Sequence, residues 1–536
     1  MSAFSTSLYV IVPCIVRRTR SDGGFMNGEL LIERLIAYAK AFLHLQACDE
    51  IYTRNLLLSK FGLFAPYDGK VETNDVYEMR VPDALYAEIC AFARERGLCD
   101  AGEEARFAVG IFGLLTPPPS EVNRAFYAIK AEKGAQCACD YLYGLSVRNG
   151  YIQKTAIEKN LVWTYDDGQN TLEITVNLSK PEKNNKDIAK LLTAPQSKGY
   201  PACALCKENE GFEGQGAQAP RQNIRTVKTI LGGEPWFVQY SPYAYYNEHC
   251  IAISEAHTPM NVNDSTVEKV LDFVDAFPNY FIGSNASLPI IGGSILNHEH
   301  FQGGRHEMPM HRAEFDVLYE EPAFPDVRAG ILDWYNSAFQ LESENRASVA
   351  ALAKRLIAAW KKFDSPACNV LSHSGDTPHN SCSPIARRVG GKYVVTLIFR
   401  NNRADEQFPD GIFHVHPRYH NIKSEGIGLI EAMGLFILPG RLKAQLEEIT
   451  DIVAGAPYDA SAPEENTHPL YLHRGMIKDL LQEGTAANRE AAHERVISYV
   501  NRVCAGILDC TAVFKRDETG RRGFDEFLRG CGFQRT

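Results

Sequence analysis

The stretch Gly292-Gly-Ser-Ile-Leu-Asn-His-Glu-His-Phe-Gln-Gly-Gly304 decides how the rest of the chain is read. In an extended strand, residues i, i+2 and i+4 share a face. His298, His300 and Gln302 then point one way, and Glu299 and Phe301 the other. Glycine pairs at both ends allow the backbone to approach a ligand closely. Imidazole can act as nucleophile, general base or metal ligand. A carboxamide beside it can donate to a phosphate oxygen without competing for protons. The plainer reading is a polar strand edge with two hydrogen-bonded histidines.

Working outward, a second His-x-His lies 116 residues on, in Gly411-Ile-Phe-His-Val-His-Pro417. Each copy follows a predicted helix and strand, which suggests one α+β unit present twice. Upstream, Cys203-Ala-Leu-Cys206 has the commonest paired-ligand spacing for zinc, and Cys2His2 is an accepted tetrahedral set. His257, in Ser254-Glu-Ala-His-Thr-Pro259, and His298 would complete it. Four protein ligands close such a site, so its role would be structural: it would hold the His298 strand, and with it His300, in place.

The 536 residues, 45% hydrophobic and 23% charged, can bury a large core in two or more units. A net charge of −10 argues against a nucleic-acid-binding surface. No run approaches 18 apolar residues, so no membrane span is expected. Leu8 to Val16 is apolar, but Arg17, Arg18 and Arg20 follow it rather than precede it. That charge order suits a buried strand rather than a secretory signal. The fourteen cysteines are scattered along the chain, which suits a reducing, cytoplasmic setting with free thiols and one metal site.

Three domains are expected: a mostly helical extension over 1–185, a first half over 186–330 and a second half with C-terminal helices over 331–536. Leu31, Leu35, Tyr38, Phe42 and Leu45 make one helical face. Val81–Gly97 reads as another helix, and Pro117-Pro118-Pro119 breaks whatever precedes it. Cys137-Ala-Cys139 is too tight for a zinc knuckle. Lys180 to Lys186 reads as a polar connector, and a glycine-rich loop runs from Gly211 to Gly216. Strands are expected at Trp236–Tyr240, His249–Ser254 and Tyr393–Phe399. Ser265-x-x-Glu268 reads as the capping box of a helix with Val267, Val270, Leu271, Val274 and Phe277 on its apolar face. A strong helix is expected over Arg346–Phe363, and a helix-like stretch over Ile427–Phe436.

With these residues together, the chain resembles hexose-1-phosphate uridylyltransferases of the galactose pathway, in the longer bacterial-type class of the histidine-triad superfamily. The resemblance rests on Cys203-Ala-Leu-Cys206, Ser241-Pro-Tyr-Ala-Tyr-Tyr-Asn-Glu-His-Cys250, Ser254-Glu-Ala-His257, His298-Glu-His-Phe-Gln302 and Gly411–Pro417. It implies an α+β fold of two histidine-triad-like halves with antiparallel sheets flanked by helices, plus an N-terminal helical extension. It also implies that His300 is the nucleophile, Gln302 the phosphate partner, and Cys203, Cys206, His257 and His298 the zinc ligands. Asn285, Gly293 and Ser294 resemble the uridine-phosphate contacts, and Glu431 matches a hexose-contacting glutamate. His414 and His416 resemble ligands of a second metal site found in some members, without a glutamate partner identified here. Glu299 stands where the better-known class has proline. The family often dimerises, though no residue pattern here marks an interface.

The implied activity exchanges UMP between UDP-glucose and galactose 1-phosphate, giving UDP-galactose and glucose 1-phosphate through a uridylyl-histidine. Arg221 and Arg225 could hold a phosphate bidentately; a solvated pair on a loop is the plainer reading. In the superfamily's hydrolases the position of Gln302 is typically a third histidine. A glutamine cannot shuttle protons, which favours transfer over hydrolysis. The competing readings are a nucleotidyltransferase or phosphorylase acting on an ADP-sugar or dinucleoside polyphosphate, a metallohydrolase built on His298, His300, His414 and His416, and a non-enzymatic binding module.

Overall fold

The computed structural model describes residues 27–178, 199–216, 218–293, 295–459 and 468–536. The Leu8–Val16 segment, the Lys180–Lys186 run and Ser294 lie outside the described residues. The chain divides into two units. One comprises Met1–Lys159, Gln196–Ile230 and Pro235–Glu255, and the other Asn160–Pro195, Leu231–Glu234 and Ala256–Thr536. Among the described residues no helix is long and apolar enough to cross a membrane.

The first unit is mainly helical. Gly28–Phe42 begins at Asn27, whose side chain accepts from the Leu30 amide, and buries Leu31, Leu35 and Tyr38 as the spacing predicts. The helix stops at Phe42, so Leu45 lies beyond it. Asp83–Arg96 ends at Gly97, which takes φ 64°, a left-handed cap that glycine adopts without a Cβ penalty. Glu104–Leu115 and Pro119–Lys133 flank the proline run, with Pro119 opening the second of them. Proline there sacrifices no helical hydrogen bond. Phe61 stacks on Phe92 at 5.3 Å and Tyr86 on Phe112 at 4.3 Å. Cys137 and Cys139 sit on the helix Ala135–Arg148, one exposed and one buried. Strands Glu234–Tyr240 and Cys250–Ser254 pair antiparallel, with Trp236 opposite Ser254.

Among the described residues the second unit holds two main sheets and a short pairing of His373–Ser374 with Thr377–Pro378. In the larger, Gln534–Arg535, Phe315–Glu320, Arg328–Leu332, Ala338–Ser343, Lys392–Asn401, Asn380–Val389, Phe281–Gly283 and His300–Gly304 lie side by side in that order, and the pairings are antiparallel. The long hairpin turns at Gly390-Gly391, both at positive φ, as a two-residue type I′ turn requires. Helices Asp264–Ala276 and Arg346–Trp360 pack on this sheet and on each other. Each precedes its own strand pair, and the pairs join where Ile385 meets Gly283 and Ala386 meets Ile282. The fold is therefore α+β with antiparallel sheets flanked by helices, as expected.

Several local expectations change. The cap of Asp264–Ala276 is Asn263, which accepts from Ser265 and Thr266. Glu268 instead pairs with Arg346 and Lys354. Strands Leu161–Asp166 and Thr171–Asn177 stand inside the stretch read as helical. Leu435–Pro439 runs parallel to the second of them, making the smaller sheet. The helix expected over Ile427–Phe436 is confined to Leu429–Ala432. Gly434 then takes φ 97° with Pro309 and Trp334 against it, too close for any Cβ, and the chain turns into the strand. Gly411–Pro417 is irregular rather than a strand, with Gly411 at φ 115°.

Candidate active site

The strand His300–Gly304 pairs with Phe281–Gly283, setting Gln302 opposite Gly283. His300 is buried, and its Nδ1 lies 2.8 Å from the carbonyl oxygen of His298. A carbonyl can only accept, so Nδ1 carries the proton and Nε2 the lone pair. Burial pushes this imidazole down to about 4, which keeps it neutral at physiological pH.

The peptide between His298 and Glu299 is held at its other end as well: the Glu299 amide donates to the Thr258 carbonyl at 2.7 Å. The strand starts at His300, so His298 and Glu299 precede it, contrary to the sequence reading, and the Glu299 side chain meets the helix Asp264–Ala276. There Lys269, itself 3% exposed, donates to both carboxylate oxygens at 3.2 and 3.0 Å and meets Glu234 at 2.9 Å. Sequence reading missed this pair, because a lysine inside an amphipathic helix normally marks the solvated side.

Asn285, Gly293 and Glu431 come together around the short helix Leu429–Ala432. The Asn285 Oδ1 accepts from the Leu429 amide at 2.8 Å, while its buried Nδ2 finds no hydrogen-bond partner among the described residues. A Cβ on Gly293 would fall 2.7 Å from that Nδ2; one on Gly428 would meet Asn285 Oδ1 at 3.2 Å and Glu431 Oε2 at 3.5 Å. Glycine at both positions therefore leaves room at the carboxamide. Lys423, 1% exposed, forms an ion pair with the Glu431 carboxylate at 3.3 Å.

Among the described residues, one group of cysteines and histidines could hold a metal ion: Cys203, Cys206, His257 and His298. The two sulfurs stand 3.5 Å apart, close to the spacing of about 3.8 Å that two thiolates take across tetrahedral zinc. Asn209 holds their loop by donating to both the Cys203 and Cys206 carbonyls at 2.8 Å. Burial, with Cys203 beside it, pushes the Cys206 thiol up to about 12, so its thiolate form needs a cation nearby. The rings of His257 and His298 stack with centroids 4.6 Å apart. Soft sulfur and imidazole donors of this kind fit zinc.

Other candidates fall elsewhere. Arg225 departs from the sequence reading. Its guanidinium donates to the carbonyls of Pro117, Gln222, Ile224, Gly113 and Thr116. All five N–H groups are used, and none remains for a phosphate. Arg221 lies 2.9 Å from the Tyr151 hydroxyl. His414 is fully buried, and neither ring nitrogen has a hydrogen-bond partner among the described residues. His416 instead stacks on Phe408 at 4.3 Å and reaches the Ile412 carbonyl. No second metal-holding group occurs among the described residues.

Models of the galactose-1-phosphate uridyl transferase N-terminal and C-terminal domains match residues 102–259 and 272–455. A galactose-1-phosphate uridylyltransferase of Caldanaerobacter subterraneus subsp. tengcongensis is 41% identical over 96% of this chain and 99% of its own length. One from Bacillus subtilis is 39% identical over 94% and 97%, and one from Streptococcus mutans 41% identical over 90% and 95%. A solved structure of a yeast Ap4A phosphorylase overlaps 68% of this chain and 93% of its own at 12% identity and a TM-score of 0.31. The near-complete overlap with the enzymes from these bacteria decides the matter: the chain belongs to the galactose-1-phosphate uridylyltransferase family of nucleotidyltransferases.

Proposed function

We propose that the chain exchanges UMP between UDP-glucose and galactose 1-phosphate by a two-step mechanism through His300. The observation that carries this reading is the 2.8 Å contact from His300 Nδ1 to the His298 carbonyl in a buried, neutral imidazole. Nε2 attacks the α-phosphorus of UDP-glucose; a nitrogen–phosphorus bond forms and the bond to the β-phosphate oxygen breaks, releasing glucose 1-phosphate. The uridylylated ring is cationic, and its Nδ1–H keeps donating to the His298 carbonyl. A phosphate oxygen of galactose 1-phosphate then attacks the same phosphorus and returns neutral His300. One difficult exchange becomes two in-line displacements.

Gln302, Asn285, Gly293 and Ser294 are the proposed contacts to the uridine phosphates, and Arg221 a further one. The Asn285 Nδ2, without a hydrogen-bond partner among the described residues, supports this assignment. Glu431, paired with Lys423, is proposed to accept from hexose hydroxyls. Cys203, Cys206, His257 and His298 are proposed to hold zinc, which supplies rigidity rather than reactivity. Arg225 is left out, its donors being occupied. Cys48, Cys90, Cys382 and Cys504 carry free thiols, which supports the cytoplasmic placement.

Labelled glucose 1-phosphate, incubated with enzyme and unlabelled UDP-glucose alone, tests the two-step order. Label should enter UDP-glucose without galactose 1-phosphate. Exchange that waits for galactose 1-phosphate would mean direct transfer between bound substrates.

A further inference from the structure

Beyond the assigned groups, the buried Lys269–Glu299 pair has no part in the steps above, yet it is attached to the peptide that orients His300. Burying an ammonium and a carboxylate costs several kcal/mol each unless their geometry is good. Here Lys269 reaches both oxygens of Glu299 and a third oxygen on Glu234. Gly232, at φ 60°, leaves space for the lysine stem, since a Cβ there would lie 2.9 Å from Lys269 Cγ. The turn is tied to the same helix, its Gly232 amide donating to Asp272 at 2.7 Å.

Glu299 is one residue from each histidine. Its amide donates to the Thr258 carbonyl, and the carbonyl preceding that amide accepts the hydrogen bond from His300 Nδ1–H. Amide and side chain both have partners, and these restrain the plane of the His298–Glu299 peptide.

We propose that Lys269 and Glu299 form a positioning clamp, which holds the His298 carbonyl against His300 Nδ1 and so keeps Nε2 unprotonated and aimed. The clamp deepens the proposed function and rests on His300 being the nucleophile. Neither residue touches substrate; both act through the peptide.

Lys269→Met and Glu299→Gln, in the full-length protein, test it by two readouts. The first is steady-state exchange with UDP-glucose and galactose 1-phosphate. Each variant should lose at least about 10-fold in kcat with KM within twofold of wild type. The double variant should be no worse than the single ones, and Lys269→Arg should keep most of the activity. The second is the His300 tautomer, read by 15N NMR of histidine-labelled protein and assigned by its loss in His300→Asn. Wild type should be Nδ1-protonated and the variants mixed. Folded variants with wild-type kcat and tautomer would overturn the clamp, as would losses that add in the double variant. A wild-type protein without exchange activity would instead sink the functional reading, while the tautomer comparison would still judge the clamp.

Discussion

The carbonyl oxygen of His298 stands 2.8 Å from the Nδ1 of His300. Residue 298 thus has two tasks: its ring belongs to the cysteine–histidine group, and its backbone sets the protonation pattern of the ring two positions on. Anything that fixes His298, a bound metal included, also fixes the acceptor that keeps His300 Nε2 free.

Gln302 shares a face with His300 and cannot exchange protons. Gln302→Ala should lower kcat by on the order of 10²–10³-fold, the usual cost of one donor to a developing phosphoryl charge. Circular dichroism should show an unchanged fold. A variant with unaltered kcat would remove Gln302 from the phosphate contacts.

Arg225 should matter for stability and not for substrate. Arg225→Met strands five carbonyls in the first unit, and a loss on the order of 3 kcal/mol or more is expected. Thermal unfolding should shift downward, while KM for UDP-glucose in the folded fraction stays within twofold. A preserved melting temperature with a raised KM would return Arg225 to the phosphates.

Cys206→Ser should release metal. Elemental analysis of the purified wild type should give about one zinc per chain, and the variant far less, with a lower melting temperature. A variant that still holds one zinc would disqualify Cys206 as a ligand.

Acid should destabilise the fold through histidines buried neutral. Burial, with nearby cations, holds His414 down at about 3 and His473 at about 4. Both titrate near 6.5 in the unfolded chain. The unfolded state therefore takes up protons first as pH falls. The stability each contributes is complete above about 6.5, and is lost progressively down to the folded value at about 1.4 kcal/mol per unit. At pH 5 each should cost about 2 kcal/mol. Urea unfolding at pH 7.5 and pH 5, with His473→Gln flattening the difference, checks this. Equal stability at both pH values would contradict it.

Much of the candidate site was legible from residue spacing. The alternation read over His298, His300 and Gln302 applies only from His300 on, where the strand begins. Cys203 and Cys206 announced their sulfur pair by separation alone. What spacing could not show was the partner on the far side: Lys269 reads as an ordinary helix residue, and only packing places it beneath Glu299. The arginines mislead for a similar reason. An Arg just past a glycine-rich loop suggests phosphate, but Arg225 spends its donors on carbonyls around the end of the helix Glu104–Leu115. In the fold, apolar periodicity placed the helices well but not their ends. Gly434 stops the short helix before Phe436, because two buried side chains crowd its backbone.

The most direct test is a single turnover with UDP-glucose labelled on the α-phosphate, followed by denaturation and intact-mass analysis. The account predicts an acid-labile uridylyl adduct on His300, absent in His300→Asn and discharged by galactose 1-phosphate. UDP-glucose left unconsumed, with no adduct on any histidine, would contradict it.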